Sequence, residues 1–208
     1  MSGAANGETA PSAWAVERFG ELAGALVSAL PLQLVRAHTR ARAAHLRAQV
    51  KKRGPYGATL SEAVRENLAD LARDLGGAAR DVRGYEYAVI NEHALFPFKY
   101  ANRPRALHRA RLASSASPTR RRLLWGHGPE AQEGLFDLGD DLTTDEYLEL
   151  HEAFEELGVS TKLVCVFFTA ALEEGIHAIH WGDAHLEPDR TFTWIHSEQL
   201  QVPPAPQE

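Results

Sequence analysis

Residues 162–200 read KLVCVFFTAALEEGIHAIHWGDAHLEPDRTFTWIHSEQL, and this stretch decides the fold class. Lys162–Ala170 is a short, continuous run of β-branched and aromatic residues, the pattern of a strand buried on both faces. Leu172–Gly175 turns the chain into a second run, Ile176–Leu186, and Pro188–Asp189 turns it again into a third, Thr191–Leu200. Three consecutive runs of this kind predict an antiparallel three-stranded meander. Working upstream, Tyr85, Tyr87 and Val89 alternate with Glu86, Ala88 and Ile90 at strand spacing. Asn91–Glu92 reads as a two-residue turn, and Ala94, Phe96 and Phe98 return on the face of Tyr85 and Tyr87. Pro97 cannot donate to a ladder, so this second strand of the hairpin is expected at a sheet edge.

The residues before the hairpin carry helical periods instead. Phe19, Leu22, Leu26 and Leu30 form one stripe of a helix that begins near Pro11–Ser12. Pro31 removes a backbone donor and is expected to break or kink it. A second helix is predicted from about Leu32 to Lys52, with Val35, Ala43, Leu46 and Val50 on one side and Arg36, Arg40, Arg47 and Lys51 on another. Thr59–Leu60–Ser61–Glu62 has the capping-box spacing and predicts the start of a third helix, which Gly76–Gly77 ends. Thr143–Glu146 repeats that signal ahead of a further long helix reaching Gly158.

Helices grouped first and strands grouped later predict an α+β fold. The expected layout is a three-helix region over residues 12–83, then an α+β region over 84–200 that contains an Arg-rich segment at 99–122. The second region would hold the hairpin, the meander and the further long helix. Residues 1–11 and 201–208 are polar or rich in Pro, Gly and Ala and read as flexible tails.

Charge is distributed unevenly along the 208 residues. Residues 1–122 carry 20 Lys and Arg against 10 Asp and Glu, a balance of +10, and residues 123–208 carry 2 against 18, a balance of −16. The net charge of −6 therefore conceals two parts of opposite sign, a pattern that suggests a nucleic-acid-facing part or two parts that dock on each other. Between His93 and Pro129 there is no acid and there are eight cations: Lys99, Arg103, Arg105, Arg109, Arg111, Arg120, Arg121 and Arg122. Seven of the eight are Arg, whose planar fork suits phosphate. Together with Arg36, Arg40, Arg47 and Lys51, they are the expected nucleic-acid-binding residues. His38, Arg42 and His45 stand at i, i+4 and i+7 beside that row and read as part of the same cationic face. The hairpin aromatics Tyr85, Tyr87, Phe96 and Phe98 adjoin the Arg-rich run and supply either stacking surface or core.

Enzymatic fingerprints are missing. There is no phosphate-binding GxxxxGK[ST] loop, no GxGxxG, no GxSxG elbow and no HExxH helix. The single cysteine, Cys165, excludes an internal disulfide framework and lies in an apolar run where a thiol is inert. Asp183, His185, His196 and Glu198 are of metal-ligand type and are the weak candidates for a metal site. A hairpin centred on Pro188–Asp189 would set Trp181 opposite His196, Asp183 opposite Trp194 and His185 opposite Phe192. The order Pro188–Asp189…Glu198 is similar to the PD…ExK metal signature of restriction-type nucleases, but Leu200 stands where that signature has lysine. No metal and no cofactor is expected.

The longest apolar runs fall far short of the ~20 residues a bilayer requires, and the N-terminal residues have no cationic start before an apolar core. A cytoplasmic location is therefore expected, with no membrane partner. The leading functional expectation is a non-enzymatic nucleic-acid-binding protein of small regulatory or defence type, whose acidic C-terminal half serves a protein partner or homo-oligomer. Two alternatives stand beside it: an interaction module with self-complementary charge, and a metal-dependent hydrolase or nuclease.

Overall fold

The computed structural model describes residues 10–82, 84–113, 120–121, 123–124, 157–158 and 160–204. Ser12 opens helix α1 (Ala13–Phe19), its hydroxyl accepting the Ala15 N–H at 3.1 Å. Gly20, at φ 58° and ψ −133°, lets the chain pass through a 3-10 turn, Gly20–Leu22, into α2 (Ala23–Ala48). Gln49 ends α2 in the left-handed region, and α3 (Gly54–Asp74) begins with Pro55 in its first turn.

These bounds correct the expected three-helix region. Among the described residues up to 82, the chain makes one long N-terminal helix, Ala13–Ala48, interrupted by the 3-10 turn Gly20–Leu22, and a second helix, Gly54–Asp74. Pro31 lies buried inside α2 and does not break it, because a proline forfeits a single ladder bond while the surrounding stripe stays packed. Continuity through Pro31 also fixes the helix phase. Leu26, Leu30 and Leu34 lead on to Ala37, Ala41 and His45 as the buried row, so Leu46 and Val50 are exposed rather than core. The capping box at Thr59–Glu62 is likewise overridden, since α3 already starts at Gly54 and Ser61 Oγ accepts from Arg65 instead.

Six strands form one mixed sheet in the order β1 (Ala78–Val82), β2 (Tyr85–Ile90), β3 (His93–Ala101), β4 (Lys162–Ala171), β5 (Gly175–Leu186), β6 (Phe192–Leu200). The expected antiparallel hairpin plus separate three-stranded meander is therefore wrong as an architecture. β1 joins β2, and β3 pairs in parallel with β4, from His93↔Lys162 to Ala101↔Thr169. Periodicity reveals which residues share a face but not the direction of the neighbouring strand. The roughly sixty-residue connection between β3 and β4 is long enough to return the chain in parallel. Pro97 consequently sits on an interior strand. The β2–β3 pairing is confined to Val89↔Ala94 and Ile90↔His93, so Pro97 lies beyond its end. Asn91 and Glu92 both adopt positive φ (48° and 60°), the geometry of the tight turn expected there.

Two cores flank the sheet. On one face, Leu26, Leu30 and Leu34 of α2 and Leu60, Val64 and Leu68 of α3 pack on Val164, Val166 and Phe168 of β4 and on Ile179 and Trp181 of β5. On the other, Phe96, Phe98, Cys165, Phe167, Leu186 and Phe192 are covered by Leu112, Leu123, Leu124 and Leu157. β4 is thus buried on both faces, which accounts for its unbroken apolar run. The helix expected at 143–157 lies outside the described residues except for Leu157. No helix among the described residues is long and apolar enough to cross a membrane.

Candidate nucleic-acid interface

The basic residues gather at the corner between α2 and α3 and at the end of β3. From Leu22 to Ser61 the chain has no acid and carries seven Lys and Arg. Arg36, Arg42 and Arg47 project from the exposed side of α2, and Lys51, Lys52 and Arg53 occupy the turn into α3. All six are exposed, and none makes an ion pair with a described residue. Arg40 differs, being paired with Glu66 of α3. The corner meets β3 through Lys99, whose Nζ stands 5.0 Å from the Tyr56 ring centre. Burial, and then the neighbouring charge of Arg53, hold the Lys99 ammonium below its ordinary pKa.

Beyond β3, Tyr100 donates its hydroxyl to the Arg105 carbonyl at 2.8 Å and folds the chain back. Arg103, Arg105 and Arg109 are exposed there without an ion pair to a described residue, while Arg111 reaches Asp189 at 3.5 Å. The Arg120–Arg122 triplet divides. Arg120 lies over the rings of Phe96 and Phe98, at 5.3 and 5.9 Å from their centres, and burial lowers its pKa. Arg121 is half-buried, with its Nε hidden from solvent and without a hydrogen-bond acceptor among the described residues. Arg122 lies outside the described residues.

His38 and His45 do not belong to the cationic face. Both are buried, and His38 Nδ1 is hydrogen-bonded to the Tyr56 hydroxyl at 2.9 Å. Burial, reinforced by Arg42, Lys99 and His177, depresses the His38 pKa. Burial alone pushes the Tyr56 phenol up to about 12. His38 and Arg42 also line a cavity of about 470 Å³ between α2 and the β4–β5 turn, where Glu173 and Glu174 form the facing wall.

Of the four metal-ligand-type residues, the fold brings three together, and other partners hold each of them. Asp183, only 3% exposed, accepts hydrogen bonds from Trp14 Nε1 at 2.7 Å and from Arg18 at 2.9 Å. Glu198 accepts from Ser12, from His196 Nε2 at 2.7 Å and from Trp181 Nε1 at 3.3 Å. His196 stacks on Trp14 at 4.7 Å. The group is a tether that fastens α1 to β5 and β6. His185 pairs with Thr193 further along the hairpin and takes no part. The expected registry also fails, since Asp183 faces His196 and Ala184 faces Trp194, leaving Ile195 as the extra residue of a β-bulge. Among the described residues no group of three or more His, Cys, Asp or Glu is placed to hold a metal ion.

Sequence reading misses Ser12, Trp14 and Arg18, which lie more than 160 residues from their partners and give no local signal. It also passes over Lys52 and Arg53, which the acid-free stretch from 22 to 61 would have exposed. Comparison with family models, curated proteins and solved structures finds no match to the chain.

Proposed function

We propose that this protein binds nucleic acid without catalysis, through the basic corner formed by α2, the α2–α3 turn and the residues after β3. The observation that carries the reading is the set of exposed cations there that make no ion pair with a described residue: Arg36, Arg42, Arg47, Lys51, Lys52, Arg53, Arg103, Arg105 and Arg109. Closely spaced cations repel one another unless anions approach, and a phosphate backbone supplies anions at a matching density. Arg18–Asp183 and Arg111–Asp189 do join cations of the first part of the chain to carboxylates of the second. Neither pair involves a cation of the corner, and the exposure of those cations is what we take to favour an external anion over self-docking halves.

Retention of single-stranded and duplex DNA and RNA should fall steeply between about 50 and 200 mM salt. Reversing Arg47, Lys51, Lys52 and Arg53 to Glu should weaken binding more than tenfold and flatten the salt slope by roughly 0.7–0.9 for each phosphate that is no longer neutralised. The four side chains are exposed, so folding should survive. Purified protein that shows no salt-sensitive retention of any of these nucleic acids overturns the reading.

A further inference from the structure

Val35, His38, Thr39 and Arg42 share one face of α2 and form one wall of the cavity of about 470 Å³ beside the β4–β5 turn. Glu173 and Glu174 form the opposite wall, and Ile176 and Val202 add apolar surface. Arg42 and Glu173 are exposed and make no ion pair with a described residue, so the two walls carry opposite charges that do not meet across the gap. Glu174 reaches His177 at 3.5 Å. His38 supplies the buried polar group of the cavity and is only 8% exposed. Its Nδ1 is engaged by the Tyr56 hydroxyl, and its Nε2 lies 3.9 Å from where a Cβ at Gly175 would stand, facing the cavity with no hydrogen bond to a described residue. A phenol is the better donor and a neutral imidazole the better acceptor, so the Tyr56 hydroxyl donates to Nδ1 and the ring proton stands on Nε2. A charged ring carries a proton there as well.

We propose that this cavity binds a peptide of two or three residues with free ends, its C-terminal carboxylate on Arg42 and His38 Nε2 and its N-terminal ammonium on Glu173 and Glu174. The site is separate from the nucleic-acid reading and does not depend on it. Charge is the first argument. The two glutamates repel a lone anion and Arg42 repels a lone cation, whereas a zwitterion satisfies both walls. Size is the second. A round cavity of this volume is about 10 Å across, and two or three extended residues at about 3.3–3.6 Å each span about 7–11 Å. A single amino acid carries both charged groups on one carbon, too close together to reach both walls. The third is the lining, apolar with a few convergent polar groups, in which Val35, Ile176 and Val202 seat apolar side chains of the ligand. A carboxylate there accepts charge-assisted hydrogen bonds from the Arg42 guanidinium, and it gives the buried Nε2 the acceptor it lacks.

The test is an NMR titration of the isotope-labelled full chain, without nucleic acid. The probes are leucyl-leucine and leucyl-glycyl-leucine, their N-acetylated and C-amidated forms, and free leucine. At least one uncapped peptide should bind and shift amides of α2 and the β4–β5 turn, and capping either end should weaken it about tenfold. Free leucine should bind more weakly than that peptide. Arg42→Gln should bring the uncapped peptide down to the level of its C-amide while leaving the amide unchanged. Glu173→Gln combined with Glu174→Gln should do the same with respect to the acetylated form. These three side chains are exposed, so both variants should fold, and melting curves establish that they do. Thr39→Trp, at an exposed position of the cavity wall, should block binding. No binding of either uncapped peptide overturns the site. So does an affinity that ignores both caps, one that leucine equals, or one that persists in folded Thr39→Trp. None of these outcomes bears on the nucleic-acid reading, which stands or falls on salt-sensitive retention.

Discussion

Asp183 is the clearest case at the scale of single residues. Its carboxylate is buried and satisfied by Trp14 and Arg18, so removing it strands two donors together. Asp183→Ala should cost about 2–4 kcal/mol in urea unfolding, toward the low end for a broken buried pair because Arg18 is a quarter exposed. Asp183→Asn keeps an acceptor for Trp14 and should cost less; equal losses would contradict the tether. Trp181, fully buried against Phe19 and Trp14, should lose about 3–5 kcal/mol on truncation to Ala, and the half-buried Trp194 clearly less. The same residues show where a sequence stops being informative. Asp, His and Glu are ligands, catalysts or tethers according to what stands opposite them, and Ser12, Trp14 and Arg18 stand opposite only after folding. The exposed cations are legible because an acid-free run advertises its own lack of partners. Buried His38 is not, because its side of α2 depends on helix phase across Pro31.

At the scale of elements, the bulge in β6 explains why the two ends of the last hairpin serve different cores. Ile195 is the extra residue, so Leu200 packs on the helix side while Phe192, an even number of positions earlier in the same strand, packs on the opposite face. The distortion brings backbone against backbone at Gly182, which has φ 154°, and a Cβ there would lie 2.1 Å from the His196 carbonyl oxygen. Gly182→Ala should therefore destabilise the protein by at least about 3 kcal/mol, read as a lowered denaturation midpoint. An unchanged midpoint would show that the strands part freely at this point. Strand positions after residue 84 are readable from period and turn chemistry. β1 is not, because AARDV has a single β-branched residue and becomes a strand through its pairing with β2. Parallel pairing of β3 with β4 is not readable either, since it is decided by tertiary contacts across a long connection.

At the scale of the whole molecule, buried His38 and half-buried His93 and His180 set the response to acid. Burial is the leading cause that lowers the pKa of His38, His93 and His180, so the unfolded chain takes up protons before the folded one. Their contribution is fully present above about pH 6.5 and is lost as pH falls through the folded values. Glu198 acts lower. Burial works to raise its pKa, but hydrogen bonds from Ser12, His196 and Trp181 outweigh burial and leave the carboxyl depressed. Its contribution is present above about pH 4.5 and is lost as pH falls below that. Tm should thus hold near neutrality, decline below about 6.5 and steepen below about 4.5. His38→Gln, which cannot titrate, should shrink the first decline; a variant with the wild-type profile would remove His38 from this account.

The parallel seam between β3 and β4 has a consequence for synthesis. When Ala101 leaves the ribosome, α2, α3 and β1–β3 are already available to pack, but β3 must wait about seventy residues for its neighbour. At typical elongation rates the wait lasts roughly 4–14 s, long compared with the microseconds in which a hairpin forms. During it, the edge HALFPFKY is an apolar strand offered to any other nascent chain. Pro97 and Lys99 are the two residues of that edge that resist such pairing, one by lacking a donor and the other by its charge.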